Sequence, residues 1–501
     1  MFEISRYNYA LGLVSKGDFQ NALTEFKAAG KNGYSMQLAI LAQENKTSEI
    51  RTLKPEANDY FYRQIEQIVS HYQEELAYNH LARLQYHLDL TLGAYCHKEL
   101  SAPDAYDFLL NTKYIALETS YLLKENKERS LYSASQIMEQ LDEHTLLLEY
   151  TLVRTLTAVN YGVFVVSQNN VSYVSLGNAD TIDTLIQNWL QTLQKSASAT
   201  GTEAALLSGT FQDLNRKLRR TLYLPIKELI PDHAGLLIAP AGTLVNFPFS
   251  QLSVSAAKNL GDTHSIRYLN TGKELLCKTT VSAGITTPAS ALVIGNPTTF
   301  SFANLPMAEQ EADMVSYFLQ AITYKKKNAT FTNVLQALTA SPERLHIAAH
   351  GIYHTPEAVS KEVDWNALYH AMAHSGIVLE GDALLSCAHI STLDLSNTRL
   401  AVLSCCHSGN ASYLGTEGAY GLRRSFVLAG CKALIVNLWQ VDDTASFLWM
   451  KTFYETLTIT ASSLAEAFDA AISAVKKYEA YGVHPYEHPY YWAGFILIST
   501  L

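Results

Sequence analysis

Five short, continuously apolar segments in the second half of the chain are the feature that most constrains its fold. They are GLLIAP (235–240), ALVIGNP (291–297), RLHIAAH (344–350), RLAVLSC (399–405) and CKALIVNLW (431–439). Segments of this length without polar alternation are typical of strands that are covered on both faces. Amphipathic helical patterns lie between them, as at 306–320 and 328–339. This alternation predicts an α/β sheet with mostly parallel strands.

The first 150 residues have a helical pattern instead. Apolar residues recur every three or four positions on both sides of Gly17-Asp18, which predicts two packed helices joined by a turn. This pair, ALGLVSKGDFQNALTEFKAA, resembles one tetratricopeptide repeat (TPR), but no clean second copy follows at the repeat period of about 34 residues. Further helices are predicted over 57–97, 102–126 and 130–144. An irregular helical domain fits this pattern better than a regular repeat array.

The pattern changes near residue 155. The segment YGVFVVSQNNVSYVSLG (161–177) predicts a β-hairpin that turns at Gln168-Asn169-Asn170. The stretch 196–209 is rich in small and polar residues and predicts a surface loop inside the α/β part. We therefore predict a helical domain over 1–150 and an α/β domain over 151–501.

Composition limits the classes of function. The 501 residues include 37 basic and 47 acidic ones, which give a net charge of −10, and the longest basic run is Lys325–Lys327. Direct binding of nucleic acid is therefore disfavoured. The chain shows neither a bilayer-length apolar stretch nor the features of a signal peptide. Its six cysteines are too scattered for a disulfide framework, so we expect a cytoplasmic protein with free thiols and no membrane contact.

Two of the apolar segments end in residues that suit nucleophilic catalysis. One ends at His350-Gly351, and the other ends at Cys405-Cys406-His407. The carboxyl ends of neighbouring parallel strands meet at one edge of a sheet. Nucleophilic catalysis by cysteine needs a thiolate and a nearby general base, usually a histidine. Gly351 has no side chain and would let a substrate carbonyl approach the main chain. The spacing is therefore compatible with a cysteine–histidine pair.

The same residues also have less specific interpretations. A cysteine at a strand end is commonly a small buried apolar residue, and a histidine in a sheet is often a core residue. A metal site could use the histidines at 346, 350 and 354, or the run 405–407. Histidines four apart suit one face of a helix rather than a strand, and the chain has no CxxC pair, so a metal is disfavoured. Spacing alone leaves catalysis, core packing and metal binding open.

Longer motifs carry a resemblance to a known family. The segments LHIAAHG, LAVLSCCHSG, GTEGAYGLRRSFVLAGCKALIVNLWQVDDTAS and HPYYWAGFILI resemble, in this order, the motifs of the CHAT family. CHAT proteins are caspase-like cysteine peptidases associated with tetratricopeptide repeats and are similar to separase and caspases. The resemblance covers roughly 150–501. It implies a caspase-like α/β fold, with a mostly parallel sheet flanked by helices, behind an N-terminal α-helical TPR-like domain.

The resemblance also implies roles for single residues. His350 falls at the catalytic histidine of the family and Cys406 at its nucleophile. The main-chain N–H groups of Gly351 and Cys406 fall at the oxyanion donors. The family usually has a small residue before the nucleophile and a polar or acidic one after it, whereas this chain has Cys405 and His407. Cys405 is therefore a decoy for thiol labelling, and neither a metal nor a cofactor is implied.

The segment NLWQVDDT (437–444) resembles the part of separase in which an aspartate accepts a basic side chain. This resemblance implies Asp443, or alternatively Asp442, as a specificity residue, with Glu417 adding negative charge. Such an acid would favour arginine or lysine before the scissile bond. The alternative is that one of the two aspartates caps a helix that begins near Thr444.

The expected function is that of a regulated cysteine endopeptidase with a Cys406–His350 dyad. It would cleave a specific protein substrate in bacterial defence or programmed cell death. The helical domain would restrain the peptidase or bind a regulatory protein. The alternative is a catalytically inactive CHAT scaffold that mediates protein–protein interaction, and the presence of both His350 and Cys406 favours the enzyme.

Overall fold

A computed structural model describes residues 2–71, 74–97, 100–115, 129–255, 257–276, 290–354, 372–405, 412–413, 419–460 and 462–499. The N-terminal part consists of helices, which are α1 (Phe2–Ser15), α2 (Phe19–Ala28), α3 (Tyr34–Gln43), α4 (Thr47–His71), α5 (Glu74–Tyr95), α6 (Ala102–Thr112) and α7 (Ala134–Met138). Gly17 adopts a φ of +76° in the turn before α2, and Asp18 caps α2 by accepting a hydrogen bond from Asn21 N at 3.3 Å. The predicted turn at Gly17-Asp18 is confirmed.

Two of the predicted segments differ from the structure. The helix predicted over 130–144 is reduced to α7, because the chain turns at Asp142, whose side chain accepts from His144 N at 3.0 Å. The loop predicted over 196–209 is wrong. Helix α8 (Ala179–Ser196) is followed by helix α9 (Gly201–Leu218), and Trp189 donates across this helix pair to Asn215 Oδ1 at 2.7 Å. The first half of α9 is exposed, with Leu206 71% exposed, and only its second half holds the buried residues Leu214 and Leu218.

The helix predicted over 102–126 is matched by α6 as far as Thr112. Residues 116–128 lie outside the described part of the chain. The remaining helices follow in the C-terminal half and are α10 (Pro306–Leu319), α11 (Phe331–Thr339), α12 (Cys387–Ser391), α13 (Leu422–Leu428), α14 (Asp443–Ile459) and α15 (Leu464–Lys477). None of the described helices is long and apolar enough to cross a membrane.

The described strands form one large sheet and two small ones. They are β1 (Thr145–Arg154), β2 (Val159–Val166), β3 (Val171–Asn178), β4 (Gly235–Ala239), β5 (Ile266–Tyr268), β6 (Ala291–Pro297), β7 (Ile322–Lys326), β8 (Arg344–Ala349), β9 (Gly351–Ile352), β10 (Gly376–Val378), β11 (Leu384–Ser386), β12 (Leu400–Cys405), β13 (Ser412–Tyr413), β14 (Ala419–Tyr420), β15 (Ala433–Asn437) and β16 (Phe495–Ser499). The large sheet has eleven strands in the order β3-β2-β1-β4-β5-β16-β15-β12-β8-β6-β7. All five apolar segments therefore form strands of it.

Nine of the eleven strands of the large sheet form two parallel blocks that run in opposite directions, and the hairpin β2–β3 continues the sheet beyond β1. One block contains β1, β4, β5 and β16, and the other contains β15, β12, β8, β6 and β7. The blocks meet where β15 and β16 pair antiparallel. The sheet is mostly parallel, as predicted, although β4 runs opposite to the other four predicted strands. The predicted hairpin is also confirmed, since β2 and β3 pair antiparallel and Ser167 N donates to Asn170 O at 2.9 Å.

The N-terminal helices lie directly on one face of the β1–β4 part of the sheet. Leu147 of β1 packs in the same apolar core as these helices, while its neighbours Leu146 and Leu148 pack in the core of the other face. This alternation follows from the pleat of a strand, which directs successive side chains to opposite faces. The helices thus form a layer of the sheet structure, and the domain division at residue 150 stays a prediction.

A buried ionic cluster joins this helical layer to β1. Lys113, which follows α6, places its Nζ 3.1 Å from Glu149 Oε1, and both side chains are fully buried. Glu149 Oε2 also accepts from Tyr106 OH at 2.6 Å and from Gly272 N at 3.0 Å. Burial lowers the pKa of Lys113, and the charge of Glu149 partly opposes this effect. The cluster satisfies its own charges, as buried ions require.

Candidate active site

His350 comes directly after β8, at the carboxyl end of a strand in the middle of the second block. Its half-buried imidazole lies with Nε2 2.6 Å from the carbonyl oxygen of Ala303, and its ring packs on Phe302 with centroids 5.2 Å apart. A carbonyl oxygen only accepts hydrogen bonds, so Nε2 carries the proton and donates. The lone pair of the neutral ring is then on Nδ1, which has no hydrogen-bond partner among the described residues.

Ala303 and Phe302 are site residues that the sequence analysis missed. They lie in the loop 298–305, between β6 and α10. A main-chain carbonyl leaves no trace in a sequence, because every residue has one. Strand order is the feature that could have indicated these residues. Because β6 neighbours β8 in the sheet, the loop after β6 begins beside the end of β8.

Gly351 begins β9, which pairs with β10. Val378 N donates to the carbonyl oxygen of His350 at 2.9 Å, which makes Gly351 and Ile377 a pair without hydrogen bonds between them. In such a pair the main-chain N–H points away from the partner strand. The N–H of Gly351 is therefore not used by this ladder, which is a requirement for an oxyanion donor.

The strand β12 ends at Cys405, which pairs in parallel register with Ala349, the residue before His350. Cys405 is only 2% exposed, and its thiol donates to the carbonyl oxygen of Ile347 at 3.5 Å. Its sulfur therefore lies in the core, as the less specific interpretation predicts for a cysteine at a strand end. The predicted nucleophile Cys406, its neighbour His407 and the predicted acid Glu417 lie outside the described residues.

The third strand of this edge, β15, leads to the two predicted specificity residues. Asp442 is the N-cap of α14 and accepts hydrogen bonds from Thr444 N and Ala445 N, both at 3.0 Å. The capping interpretation is therefore correct for Asp442. Asp443 is exposed overall, although part of its carboxyl is shielded from water. This partial desolvation raises the pKa of Asp443, and the charges of Asp442 and Glu311 raise it further. Asp443 is thus the aspartate whose carboxylate is not used as the helix cap.

Strand order brings these parts together. Because β15, β12 and β8 are parallel neighbours, their carboxyl ends lie at the same edge of the sheet. The strand that leads to Asp443 is on one side, the strand that ends at Cys405 is in the middle, and the strand that leads to His350 is on the other side. The edge therefore places His350 beside the strand that ends at Cys405, while Asp443 begins α14 six residues beyond the end of β15.

The other histidines of the metal hypothesis are placed differently. His346 is fully buried, with Nε2 3.0 Å from Glu311 Oε1 and Nδ1 3.0 Å from Tyr454 OH. His354 instead packs edge-on against His374, with ring centroids 6.0 Å apart. Within the described ranges, no group of three or more histidine, cysteine or acidic side chains is arranged to hold a metal ion.

Comparisons with solved structures give fold neighbours of low sequence identity. The separase–securin complex of Saccharomyces cerevisiae has a TM-score of 0.46 and 10% identity, and it covers 100% of this chain and 44% of that one. The Arg-specific cysteine proteinase gingipain R (RgpB) of Porphyromonas gingivalis has a TM-score of 0.35 and 12% identity, and it covers 57% of this chain and 66% of that one.

Sequence comparison gives curated relatives and a family. Tetratricopeptide repeat protein 28 of Homo sapiens is 26% identical over 304 residues, and that of Mus musculus is 26% identical over 306 residues. Each match covers 54% of this chain but only 12% of the relative, so the chain corresponds to a small part of these proteins. Residues 212–500, more than half of the chain, match the family model of the CHAT domain. The chain therefore belongs to the CHAT domain family and has its caspase-like α/β fold, as the motifs predict.

Proposed function

We propose that this chain is a cysteine endopeptidase in which Cys406 is the nucleophile and His350 is its base and acid. The observation that carries the proposal is the state of His350. Its Nε2 is fixed by a carbonyl, and its Nδ1 has no partner among the described residues, at the end of a strand paired with the one that ends at Cys405. A catalytic histidine requires this combination of one oriented nitrogen and one available nitrogen.

Covalent geometry supports the proximity of the two reacting groups. Consecutive Cα atoms are about 3.8 Å apart, and neighbouring strands are about 4.8 Å apart. Ala349 and Cys405 are register partners, so His350 and Cys406 are each one residue beyond a paired position. Cys405 is itself occupied as a core residue. Cys406 is the candidate that remains at this strand end.

The mechanism that follows is acyl transfer. His350 takes the thiol proton of Cys406 on Nδ1, and the resulting thiolate attacks the peptide carbonyl carbon while the N–H groups of Gly351 and Cys406 donate to the oxyanion. The protonated His350 gives its Nδ1 proton to the leaving amine as the C–N bond breaks, which leaves a thioester on Cys406. His350 then takes a proton from water, and the hydroxide attacks the thioester. The carboxylic acid product leaves, and the thiol–imidazole pair is restored.

Substrate preference is the second part of the proposal. The exposed carboxylate of Asp443 is not part of the α14 cap, in contrast to that of Asp442. We assign to Asp443 the recognition of arginine or lysine before the scissile bond, with Glu417 adding negative charge. Resemblance of the motifs to the family supports a restricted protein substrate in bacterial defence or programmed cell death. It also supports a cytoplasmic setting and a regulatory protein bound by the helical layer.

The test is hydrolysis of a positional-scanning library of fluorogenic peptides by the full chain and by three variants. We expect the wild type and Cys405→Ala to cleave after a basic residue, and we expect Cys406→Ala and His350→Ala to be inactive. Equal cleavage by wild type and Cys406→Ala would overturn the assignment. Absence of cleavage and of labelling by a peptidyl electrophile in the wild type would favour the scaffold alternative.

A further inference from the structure

The loop that holds His350 is itself anchored by Asp382, a residue outside the site described above. Asp382 lies in the turn between β10 and β11. Its Oδ1 accepts from Phe300 N at 2.8 Å, and its Oδ2 accepts from Ser301 N at 3.0 Å and from Ser301 Oγ at 2.6 Å. One carboxylate therefore binds three donors on two consecutive residues, and the second of these is two residues before Ala303.

Strand β10, which leads into this turn, is hydrogen-bonded to the main chain of His350. Val378 N, at the end of β10, donates to the carbonyl oxygen of His350 at 2.9 Å. Gly381 N donates to the carbonyl oxygen of Thr298 at 2.9 Å, which adds a fourth contact to the loop 298–305. Strand β10 and the turn that follows it thus connect the main chain of His350 with the loop that holds its side chain.

The loop 298–305 is fixed on both sides of Ala303. On the far side, Leu305 N donates to Asn296 Oδ1 at 3.0 Å. Within the loop, Thr299 Oγ1 donates to the carbonyl oxygen of Phe302 at 3.0 Å. On the near side, Asp382 supplies most of the contacts. Without the Asp382 carboxylate, the near side would keep only the hydrogen bonds of Gly381 N to Thr298 O and of Thr299 Oγ1 to Phe302 O.

Asp382 adopts a left-handed backbone conformation, which is uncommon outside glycine but which aspartate and asparagine take more readily than most residues. Its φ is +63°, next to Gly381 with a φ of +68°. A positive φ is unfavourable for a residue with a side chain, and it persists where surrounding contacts determine it. The hydroxyl of Ser301, followed by the N–H groups of Phe300 and Ser301, lowers the pKa of the Asp382 carboxyl. The anion is therefore the form that accepts all three hydrogen bonds.

We propose that Asp382 is a positioning residue that fixes the orientation and the Nε2–H tautomer of His350 through the carbonyl of Ala303. Asp382 reaches the imidazole only through this loop, so its action is indirect. The consequence for catalysis rests on the proposed peptidase function, but the effect on the histidine does not. Loss of Asp382 should lower kcat and leave KM nearly unchanged, because a misplaced general base slows chemistry rather than binding.

The test uses Asp382→Asn in the full chain, because asparagine tolerates a positive φ but keeps only one acceptor oxygen. Ser301→Ala, which removes one of the three donors, is the second and milder variant. The matched control is Glu466→Gln, since Glu466 also accepts from a serine N–H and hydroxyl, those of Ser463, at 2.8 and 2.9 Å. Two readouts are measured: kcat and KM on the best peptide, and the ¹⁵N spectrum of labelled histidines, with His350 assigned by His350→Gln.

We expect the wild type to show His350 with the proton on Nε2, and Asp382→Asn to show a mixture of tautomers. The kcat of Asp382→Asn should fall on the order of 10- to 100-fold with KM within about twofold, that of Ser301→Ala should fall less, and Glu466→Gln should match the wild type. An unchanged His350 spectrum in Asp382→Asn would overturn the proposal. If the wild type cleaves no peptide, the proposed function fails, while the spectra still decide the role of Asp382.

Discussion

Two histidines, one within β8 and one directly after it, differ in burial and in the partners of their ring nitrogens. His346 lies within β8 and is fully buried, and a protein atom lies 3.0 Å from each of its ring nitrogens. His350 follows the same strand, is half-buried, and has a protein partner at Nε2 alone among the described residues. Residues four apart along an extended chain lie on the same face, so the two histidines differ in burial because His346 lies deep in the sheet and His350 lies at its edge. Inside the layers both ring nitrogens of His346 face protein side chains, whereas Nδ1 of His350 at the strand end has no partner among the described residues.

Carboxylates show the same contrast. Glu149 is fully buried and accepts from Lys113, Tyr106 and Gly272. Asp382 and Asp443 lie outside the core, where one holds a loop and the other begins a helix. A buried charge that loses its partner destabilises the fold strongly, while a charge near the surface changes stability little. We therefore expect interior substitutions to change folding and edge substitutions to change catalysis.

The largest expected effect comes from the two histidines compared directly. His350→Ala should lower kcat/KM on the order of 10³-fold without changing the melting temperature, since it removes the general base but no core packing. His346→Ala should lower the melting temperature and keep kcat per folded molecule. Peptide hydrolysis and thermal unfolding of both variants are the measurements. Equal losses of activity from both variants, in proportion to the loss of folded protein, would remove the distinction between His346 and His350.

The second largest effect concerns the buried Lys113–Glu149 pair and its contribution to the free energy of unfolding. Lys113→Met should lower the free energy of unfolding by about 3–5 kcal/mol, because it leaves the buried carboxylate of Glu149 without its cation. The double variant Lys113→Met/Glu149→Met should recover much of this loss. Lys217→Met is the control, since Lys217 Nζ makes a solvent-exposed pair with Asp213 Oδ2 at 2.8 Å. Urea unfolding measures all three, and equal midpoints for Lys113→Met and Lys217→Met would contradict the account.

The smallest effect concerns the edge carboxylates. Asp443→Asn should lower kcat/KM for substrates with a basic residue before the scissile bond by roughly tenfold, and should leave apolar substrates unchanged. Asp442→Asn is the control, because asparagine caps a helix about as well as aspartate. A library profile that prefers leucine or methionine in the wild type would count against the role of Asp443.

The same residue predicts a pH dependence. Burial and the neighbouring acids raise the pKa of Asp443, so its negative charge is present above this raised pKa and is lost as pH falls through it. The preference for basic over apolar substrates should therefore decline at a higher pH than the ordinary pKa of an aspartate would give. The ratio of the two kcat/KM values, measured against pH in wild type and Asp443→Asn, checks this. A ratio that changes equally in both would assign the pH effect to another group.

The sequence predicted the parts of the fold that depend on local apolar patterns. All five apolar segments are strands, and the hairpin and the first helix turn lie where the patterns indicate them. The short strands β5 and β16 were not predicted, and the antiparallel contact of β15 with β16 depends on chain connections that no local pattern contains. Helix α9 was missed because its first half, which falls in the segment 196–209, is exposed, whereas its buried residues Leu214 and Leu218 lie beyond that segment.

The candidate site was predictable only in part. His350 and Gly351 are recognisable because they end an apolar segment within a family motif. The acceptor on Ala303 and the anchor Asp382 are not, because they act on His350 through main-chain contacts formed by folding, across 47 residues in the case of Ala303. The separation of Asp442 from Asp443 also required the structure, since only the cap geometry shows which carboxylate is used.

Labelling with an arginine-containing peptidyl electrophile measures whether Cys406 reacts with the help of His350. The adduct is located by mass spectrometry, and its rate of formation is compared in wild type, His350→Ala and Cys405→Ala. We expect one adduct, on Cys406, which forms on the order of 100-fold more slowly in His350→Ala and at the wild-type rate in Cys405→Ala. An adduct on Cys405, or equal rates in wild type and His350→Ala, would contradict it.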